Sequence, residues 1–365
     1  VDVYRSPGVF RQERFSPPAS GLRSAVPLLL GLAEQGPLDR PLALSRPAQF
    51  AAAFGAASGG YLGDAVRGFF ANQGRLCYVL RLADNSELSL AQGLAAGETI
   101  ADIDLVCAPD CTTGANPVAI RAQQRALLEH CQRQGDRFAI LDALPGAGIA
   151  AVIAQRQGLD GADGALYFPW ISETAGGQAQ RFLPPCGHIA GIYARTDAAG
   201  GVYRAPANAL LEGVLDLRIN LSSRQQEELN PLGINGLCSF AGRGIRVWGA
   251  RTLSSEAEWR YIGVRRLFLY IRRRIENIMA GMVFENSEPR LWSRIERELA
   301  AYCRALFQQG ALAGSREADA FYVKCDAETN PPALRECGEV VAEVGLAPAA
   351  PAEFVVLRLV QRSER

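Results

Sequence analysis

Cys186-Gly187-His188 sets a thiol two residues from an imidazole, one of only two histidines in the chain. Thiol hydrolases build a nucleophile and its base from that pair of groups. Cys107, Cys111, His130 and Cys131 are residue types that hold zinc. Glycines such as Gly242 and Gly244, or Gly59 and Gly60, can let a backbone approach a phosphate. Arginines at 265–266 and 272–274 could meet a nucleic-acid backbone. Each has a plainer reading that fits the spacing better. A catalytic thiol and its base usually come from distant segments, so Cys-Gly-His reads as a packed strand. The Cys-x3-Cys and His-Cys spacings are unusual for zinc and read as reduced core residues. No P-loop is present and no complete GxGxxG joins a strand to a helix, so the glycines read as turns. The arginines share a helix with Tyr261, Ile262, Leu267, Phe268, Ile271, Ile275 and Ile278, beside acidic partners such as Glu276. They read as a solvated or intersubunit face. No catalytic, metal-binding or cofactor-binding residue is expected.

The elements that would position these groups belong to a chain of 365 residues, long enough for two ordinary domains or one large domain with arms. Apolar residues make up 48% and charged residues 21%, which favours neither disorder nor a membrane protein. Lys+Arg and Asp+Glu both total 38, so no net field gathers nucleic acid or an anionic membrane. Nearly all the cations are arginine, Lys324 being the one lysine, and the planar guanidinium suits packed, two-pronged contacts. The nine cysteines are odd in number and scattered through apolar surroundings, as reduced core residues are. The opening VDVYRSPGVF lacks a basic segment followed by an apolar one, and the apolar run at 26–32 is broken by Pro27 and Gly31. Neither a signal peptide nor a membrane span is expected, and the chain should be made in the cytoplasm.

Strands and helices alternate along most of the length. Strands are predicted at 27–32, 76–82, 103–108, 138–142 and 164–168, with helices at 47–54, 61–72, 118–134 and from 148. That order argues for an α/β fold, a mixed sheet with flanking helices. Residues 187–202 should close this layer, followed by a linker-like passage through Asn208 and the polar run at 222–226. A second region from about residue 230 carries strands near Cys238 and at 245–250, then helices at 259–279 and 288–309. In the latter Leu291, Ile295, Leu299, Tyr302 and Leu306 form an apolar stripe opposite Arg294, Glu296, Arg297 and Glu298. Strands follow at 320–325, 339–344 and 353–361. The last has apolar residues on both faces, and the first twenty residues hold strand-like pieces isolated by Pro7-Gly8 and Pro17-Pro18. A strand parted from its own domain needs a partner elsewhere.

The phrases RAPAN (204–208), LNPLGIN (229–235), GRGIRVWGARTLS (242–254), EWRYIGVRRLFLYI (258–271), FENSEPRLWSRI (284–295), FQQGALAG (307–314), FYVKCDAETNPP (321–332) and PAEFVVLRL (351–359) resemble the phage tail sheath family. SPGVF, QGPLDRP and YLGDAVRGFFANQGRLCYVLRL near the start are similar to its opening, with weaker support at 83–163. In this reading the chain lacks the large outward insertions of some phage sheaths, which resembles the sheaths of pyocin-like and extracellular injection particles. The resemblance implies four parts: an N-terminal arm (1–20), an α/β sheath domain facing partly outward (21–220), a sheath-core domain facing an inner tube (221–347), and a C-terminal arm (348–365). It implies homo-oligomeric hexameric rings stacked around an inner tube protein, with baseplate, cap and paralogous sheath subunits as further partners, and neither nucleic acid nor membrane. It also implies donor strands carrying Val3, Tyr4, Val9, Phe10, Phe354, Val356, Leu357 and Leu359. They would join a receiving hairpin of Phe321, Val323 and Cys325 with Val340, Val341 and Val344. Arg272, Arg273, Arg274, Arg294 and Arg297 are the expected tube-facing cations.

Overall fold

Three consecutive leucines, Leu28 to Leu30, sit in the first strand with no exposed surface on either side of the chain. A strand can be apolar on both faces only where helices cover both. The computed structural model describes residues 22–55, 60–114, 116–173 and 181–351. In chain order its elements are β1 (Pro27–Gly31), β2 (Leu42–Leu44), α1 (Ala48–Phe54), α2 (Leu62–Ala71), β3 (Cys77–Arg81), α3 (Glu87–Gly97) and β4 (Leu105–Cys107). Next come α4 (Pro117–Gln134), β5 (Phe138–Asp142), α5 (Ile149–Gln157), β6 (Gly164–Phe168), β7 (Ile171–Glu173), β8 (Phe182–Leu183) and α6 (Cys186–Gly200). The rest are β9 (Val214–Leu217), α7 (Ser223–Leu229), β10 (Ile234–Phe240), β11 (Gly244–Trp248), α8 (Ile262–Ala280), α9 (Pro289–Gln308), α10 (Glu317–Ala320), β12 (Phe321–Lys324), α11 (Pro332–Glu336) and β13 (Glu343–Leu346).

Eight strands form one sheet in the order β11-β10-β6-β5-β4-β1-β3-β2, parallel from β10 through β3 and antiparallel at both ends. Leu28 pairs with Tyr78 on one side and Val106 on the other, so β1 is an interior strand, third from one edge. Alternate residues feed two cores. Leu29, Val79, Phe138, Ile140 and Tyr167 pack with α1, α2, α6 and α8, while Leu28, Leu30, Val106, Leu141 and Phe168 pack with α3, α4, α5 and α7. Each such leucine contributes roughly 2 kcal/mol relative to exposure. This is the mixed α/β sheet with flanking helices that the alternation predicts.

Several expectations need correction. Residues 186–200 form a helix and not a packed strand. Gly187 and Gly191, one turn apart, let α6 press onto α2: an added Cβ would lie 2.2 Å from the Ala65 carbonyl oxygen and 2.5 Å from that of Phe69. The passage at 208–226 is not a linker. β9 pairs with β7 and β7 with β8 in a three-stranded sheet, and α7 starts with a reciprocal cap between Ser222 and Gln225. The expected boundary at 220/221 is crossed by the main sheet, since β10 pairs in parallel with β6 through Ile234 and Leu166. Helix α3, started by the Ser86 hydroxyl accepting the Ser89 N–H, was not foreseen.

The end of the described chain packs separately. α9 buries Leu291, Ile295 and Leu299 against Val323 and Val344, and Leu306 lies with Leu267, Ile271, Phe321 and Leu346.

Candidate assembly interface

β12 and β13 pair antiparallel in a two-stranded sheet, with Phe321 opposite Leu346 and Lys324 opposite Glu343. A two-stranded ribbon is marginal unless a face is covered, and here α9 covers the face carrying Phe321, Val323, Val344 and Leu346. The other face is open. There the Tyr322 ring lies across Gly345, where a Cβ would sit 2.0 Å from the ring, and the Tyr322 hydroxyl donates to Glu343. Among the described residues, neither ribbon strand is paired along its outer edge with a further named strand. Beyond β13 the chain runs beside residues 311–313: the Ala313 N–H donates to Ala347 O at 2.8 Å and the Ala349 N–H to Ala311 O at 3.1 Å.

Phe321 and Val323 stand in β12 and Val344 in β13, as expected, with Cys325 buried one residue past β12. Val340 and Val341 do not belong to the second strand, which begins at Glu343. Asn330, 1% exposed, accepts the Val341 N–H at 2.7 Å and donates to its carbonyl at 3.0 Å, so both groups are taken from the ladder. The expected donor residues Val3, Tyr4, Val9, Phe10, Phe354, Val356, Leu357 and Leu359 lie outside the described residues.

The first described residues are tied to α8. The Tyr270 hydroxyl donates to Leu22 O at 3.2 Å, and Arg273 donates to Ala101 O at 2.6 Å and Arg23 O at 3.5 Å. Ala25 adopts a φ of 53°, which a non-glycine residue rarely does, and its N–H and that of Val26 donate to Asp104 at 2.8 and 2.6 Å. Arg266 joins this carboxylate to Asp197. Burial pushes the Asp104 carboxyl up, against the pull of Arg266 and Arg273. Burial alone would lower Arg266, but Asp197 and Asp104 outweigh it and raise its pKa.

The five arginines expected at a tube surface divide. Arg273 is only 4% exposed and spent on the main chain above, so it is not a surface cation. Arg272 is exposed and paired with Glu276 at 2.9 Å, and Arg274 is half-buried. Arg294 is exposed and paired with Glu285 at 2.8 Å and Glu298 at 3.2 Å, and Arg297 is exposed. Arg290, Arg294 and Arg297 border an open groove of about 760 Å³ with Phe284. Phe284 is 102% exposed and held at a φ of 73°, with Val283 exposed beside it. Sequence reasoning missed this pair. Two apolar residues between helices, just before Glu285 and Pro289, are the signal that could have found it.

The candidate chemical groups do not assemble. Cys186 and His188 point apart from the first turn of α6: the Cys186 N–H donates to Asp142 at 2.9 Å, while His188 Nε2 lies 3.0 Å from Glu173. Burial raises the Cys186 thiol well above its ordinary pKa, which opposes a thiolate. Burial would also raise Glu173, but His188 and Arg67 outweigh it and hold the carboxyl low. Cys107 lies on one face of the sheet and Cys111 and Cys131 in the core on the other. Among the described residues no three His, Cys, Asp or Glu side chains converge on a metal position, and no helix is long and apolar enough to cross a membrane.

Residues 86–253 match the phage tail sheath protein central domain and 254–362 the phage tail sheath C-terminal domain. The tail sheath protein of Vibrio phage KVP40 is 29% identical over 187 residues, covering 50% of this chain and 27% of that protein. A putative prophage major tail sheath protein of Pseudomonas aeruginosa is 27% identical over 192 residues, covering 50% of this chain and 46% of that protein. The match thus spans less than half the length of these relatives. Solved structures align along nearly the whole chain. One chain of the anti-feeding prophage baseplate is 32% identical with a TM-score of 0.80, covering 99% of this chain and 100% of that one. A chain of the PVC extracellular contractile injection system sheath complex, in its contracted state, is 30% identical with a TM-score of 0.80, covering 99% of each. With both domain matches and full-length likeness in place, the chain belongs to the phage tail sheath family.

Proposed function

We propose that this chain is a subunit of a contractile tail sheath that polymerises as stacked hexameric rings around an inner tube and shortens by re-packing its subunits. The observation that carries the reading is the β12–β13 ribbon, packed on one face by α9 and paired with no further named strand among the described residues. Such edges accept strands from other subunits through main-chain hydrogen bonds. Residues 1–15 and 354–360 are the donors. Backbone pairing through arms keeps subunits joined while their bodies rotate. Contraction gains apolar burial at roughly 25 cal/mol per Å², summed over many subunits, and needs no turnover in the sheath itself.

The same reading takes the inner tube, the baseplate, the cap and paralogous sheath subunits as partners, with synthesis in the cytoplasm and assembly in a tail-like particle. The tube-facing surface is assigned to the groove of Phe284, Arg290, Arg294 and Arg297, since these are exposed while Arg273 is not. Electron microscopy of the full chain beside one ending at Pro351 tests the proposal. Tubes or rings are expected from the full chain and none from the truncation; identical assemblies from both would refute strand exchange through the C-terminal arm.

A further inference from the structure

The main sheet reverses its strand order at β1 and β4: the chain leaves β1 for β3 on one side, then crosses over to β4 on the other. In doubly wound α/β sheets the crevice beyond the carboxyl ends of the strands at such a reversal is the usual ligand site, with phosphate held by glycine backbone and a helix N-terminus. Here that crevice is filled. Asp110, on the 3-10 turn Pro109–Thr113 that follows β4, has no exposed surface. Its Oδ2 accepts the Leu32 N–H at 2.7 Å, just past β1, and its Oδ1 accepts the Tyr61 N–H at the start of α2.

The walls are bare backbone where the carboxylate sits. A Cβ at Gly31 would lie 2.3 Å from Oδ2 and one at Gly60 2.2 Å from Oδ1. Above it the Tyr61 ring meets Trp170 edge-on at 5.3 Å, and Arg181 lies 5.1 Å over Tyr61 while pairing with Asp64 at 3.2 Å. Burial holds the Asp110 carboxyl above its ordinary pKa, and its main-chain donors offset only part of that rise.

We propose that the Asp110 carboxylate is a resident anion: it occupies, from within the chain, the place a phosphate-bearing ligand takes in other doubly wound sheets, and converts that site into a clasp joining β1, β4 and α2. The inference concerns the subunit body and holds whether or not β12–β13 accepts strands, because its test reads melting and not assembly. The full chain and Asp110→Gly are melted in chloride and in about 10 mM inorganic phosphate at matched ionic strength, too dilute for general salt stabilisation. The parent midpoint should be the same in both. Asp110→Gly should melt lower in chloride and recover a large part of the loss in phosphate, since an anion that binds only the folded state stabilises it by mass action. A parent midpoint that rises in phosphate overturns the proposal, as does a folded variant with no phosphate-specific recovery. Should that variant accumulate only unfolded, Asp110→Asn decides. It keeps the shape but turns one acceptor into a donor facing a main-chain N–H, so the unfolding equilibrium constant should rise about tenfold or more. Parent-like stability in Asp110→Asn overturns the proposal.

Discussion

Arg266 grips Asp197 with both terminal nitrogens, at 2.9 and 2.7 Å, and the Arg266 side chain is 3% exposed. The same guanidinium reaches Asp104, whose carboxylate holds the N–H groups of Ala25 and Val26. One cation therefore ties α8 to α6, to β4 and to the entry of β1.

Arg266→Met should cost about 3–5 kcal/mol, because it removes the buried cation that Asp197 and Asp104 share. Arg266→Lys should recover only part of this, since an ammonium cannot make the two-pronged contact. Urea unfolding measures both. Hydrogen exchange at residues 25 and 26 should quicken in Arg266→Met before the body unfolds.

Gly187→Ala sets a methyl group 2.2 Å from the Ala65 carbonyl oxygen, so α6 must move off α2. The expected loss is roughly 1–3 kcal/mol. Gly281→Ala is the control: its Cβ meets only Ile278 O at 3.7 Å and its φ is −73°. Parent-like melting of Gly187→Ala would contradict the close crossing.

Two buried groups impose opposite pH trends. His130 is pushed down to about 4 from 6.5, by burial and then by Arg137 at 3.2 Å. The folded state binds its proton less well than the unfolded, so this contribution is whole above 6.5 and is lost as pH falls toward about 4. Asp142 is pushed up from 3.8 to about 7 by burial, so its contribution is whole below 3.8 and is lost as pH rises through about 7. Asp142→Asn keeps an acceptor for the Cys186 N–H without that loss. It should gain on the parent in melting temperature at about pH 8, and a constant difference across pH would contradict the assignment.

Asn330→Ala releases both main-chain groups of Val341, at a local cost of roughly 1–3 kcal/mol. Exchange should rise along β12 and β13 while the main sheet stays protected, and sheath assembly should fall. Unchanged assembly with a frayed ribbon would separate the ribbon from polymerisation.

Reversing Arg294 and Arg297 to glutamate should weaken attachment to an inner tube, and parent attachment should decline with salt. Co-sedimentation of sheath with tube reads this. Arg273→Glu should instead lower folded yield, because that side chain holds Ala101 and Arg23 from inside.

What the sequence made legible follows from how local the physics is. β5 and β6 have the predicted limits because their apolar runs are short, continuous and bounded. α6 escaped because Cys186 to Tyr193 are buried all round, which leaves no polar face to mark a helical period. The union of β10 with β6 joins residues 68 apart at Ile234 and Leu166, and no local pattern encodes that pairing. Among Arg272, Arg273 and Arg274, successive side chains turn about 100° around the helix, so only the packing of α8 reveals which one points inward. The displaced start of β13 has the same origin, in an asparagine eleven positions away. The strand-like reading of the two ends rests on sequence alone, since residues 1–21 and 352–365 lie outside those described.

The interior place of β1 sets how the subunit would resist tension. A pull on β1 along its own axis would load a strand flanked by parallel neighbours on both sides, so its ladders would be sheared and would have to yield together. An edge strand pulled sideways would peel one bond at a time. Under such a pull, the hydrogen bonds of Tyr270 and Arg273 to Leu22 and Arg23 would divert part of the load into α8, as a cleat takes the strain from a knot.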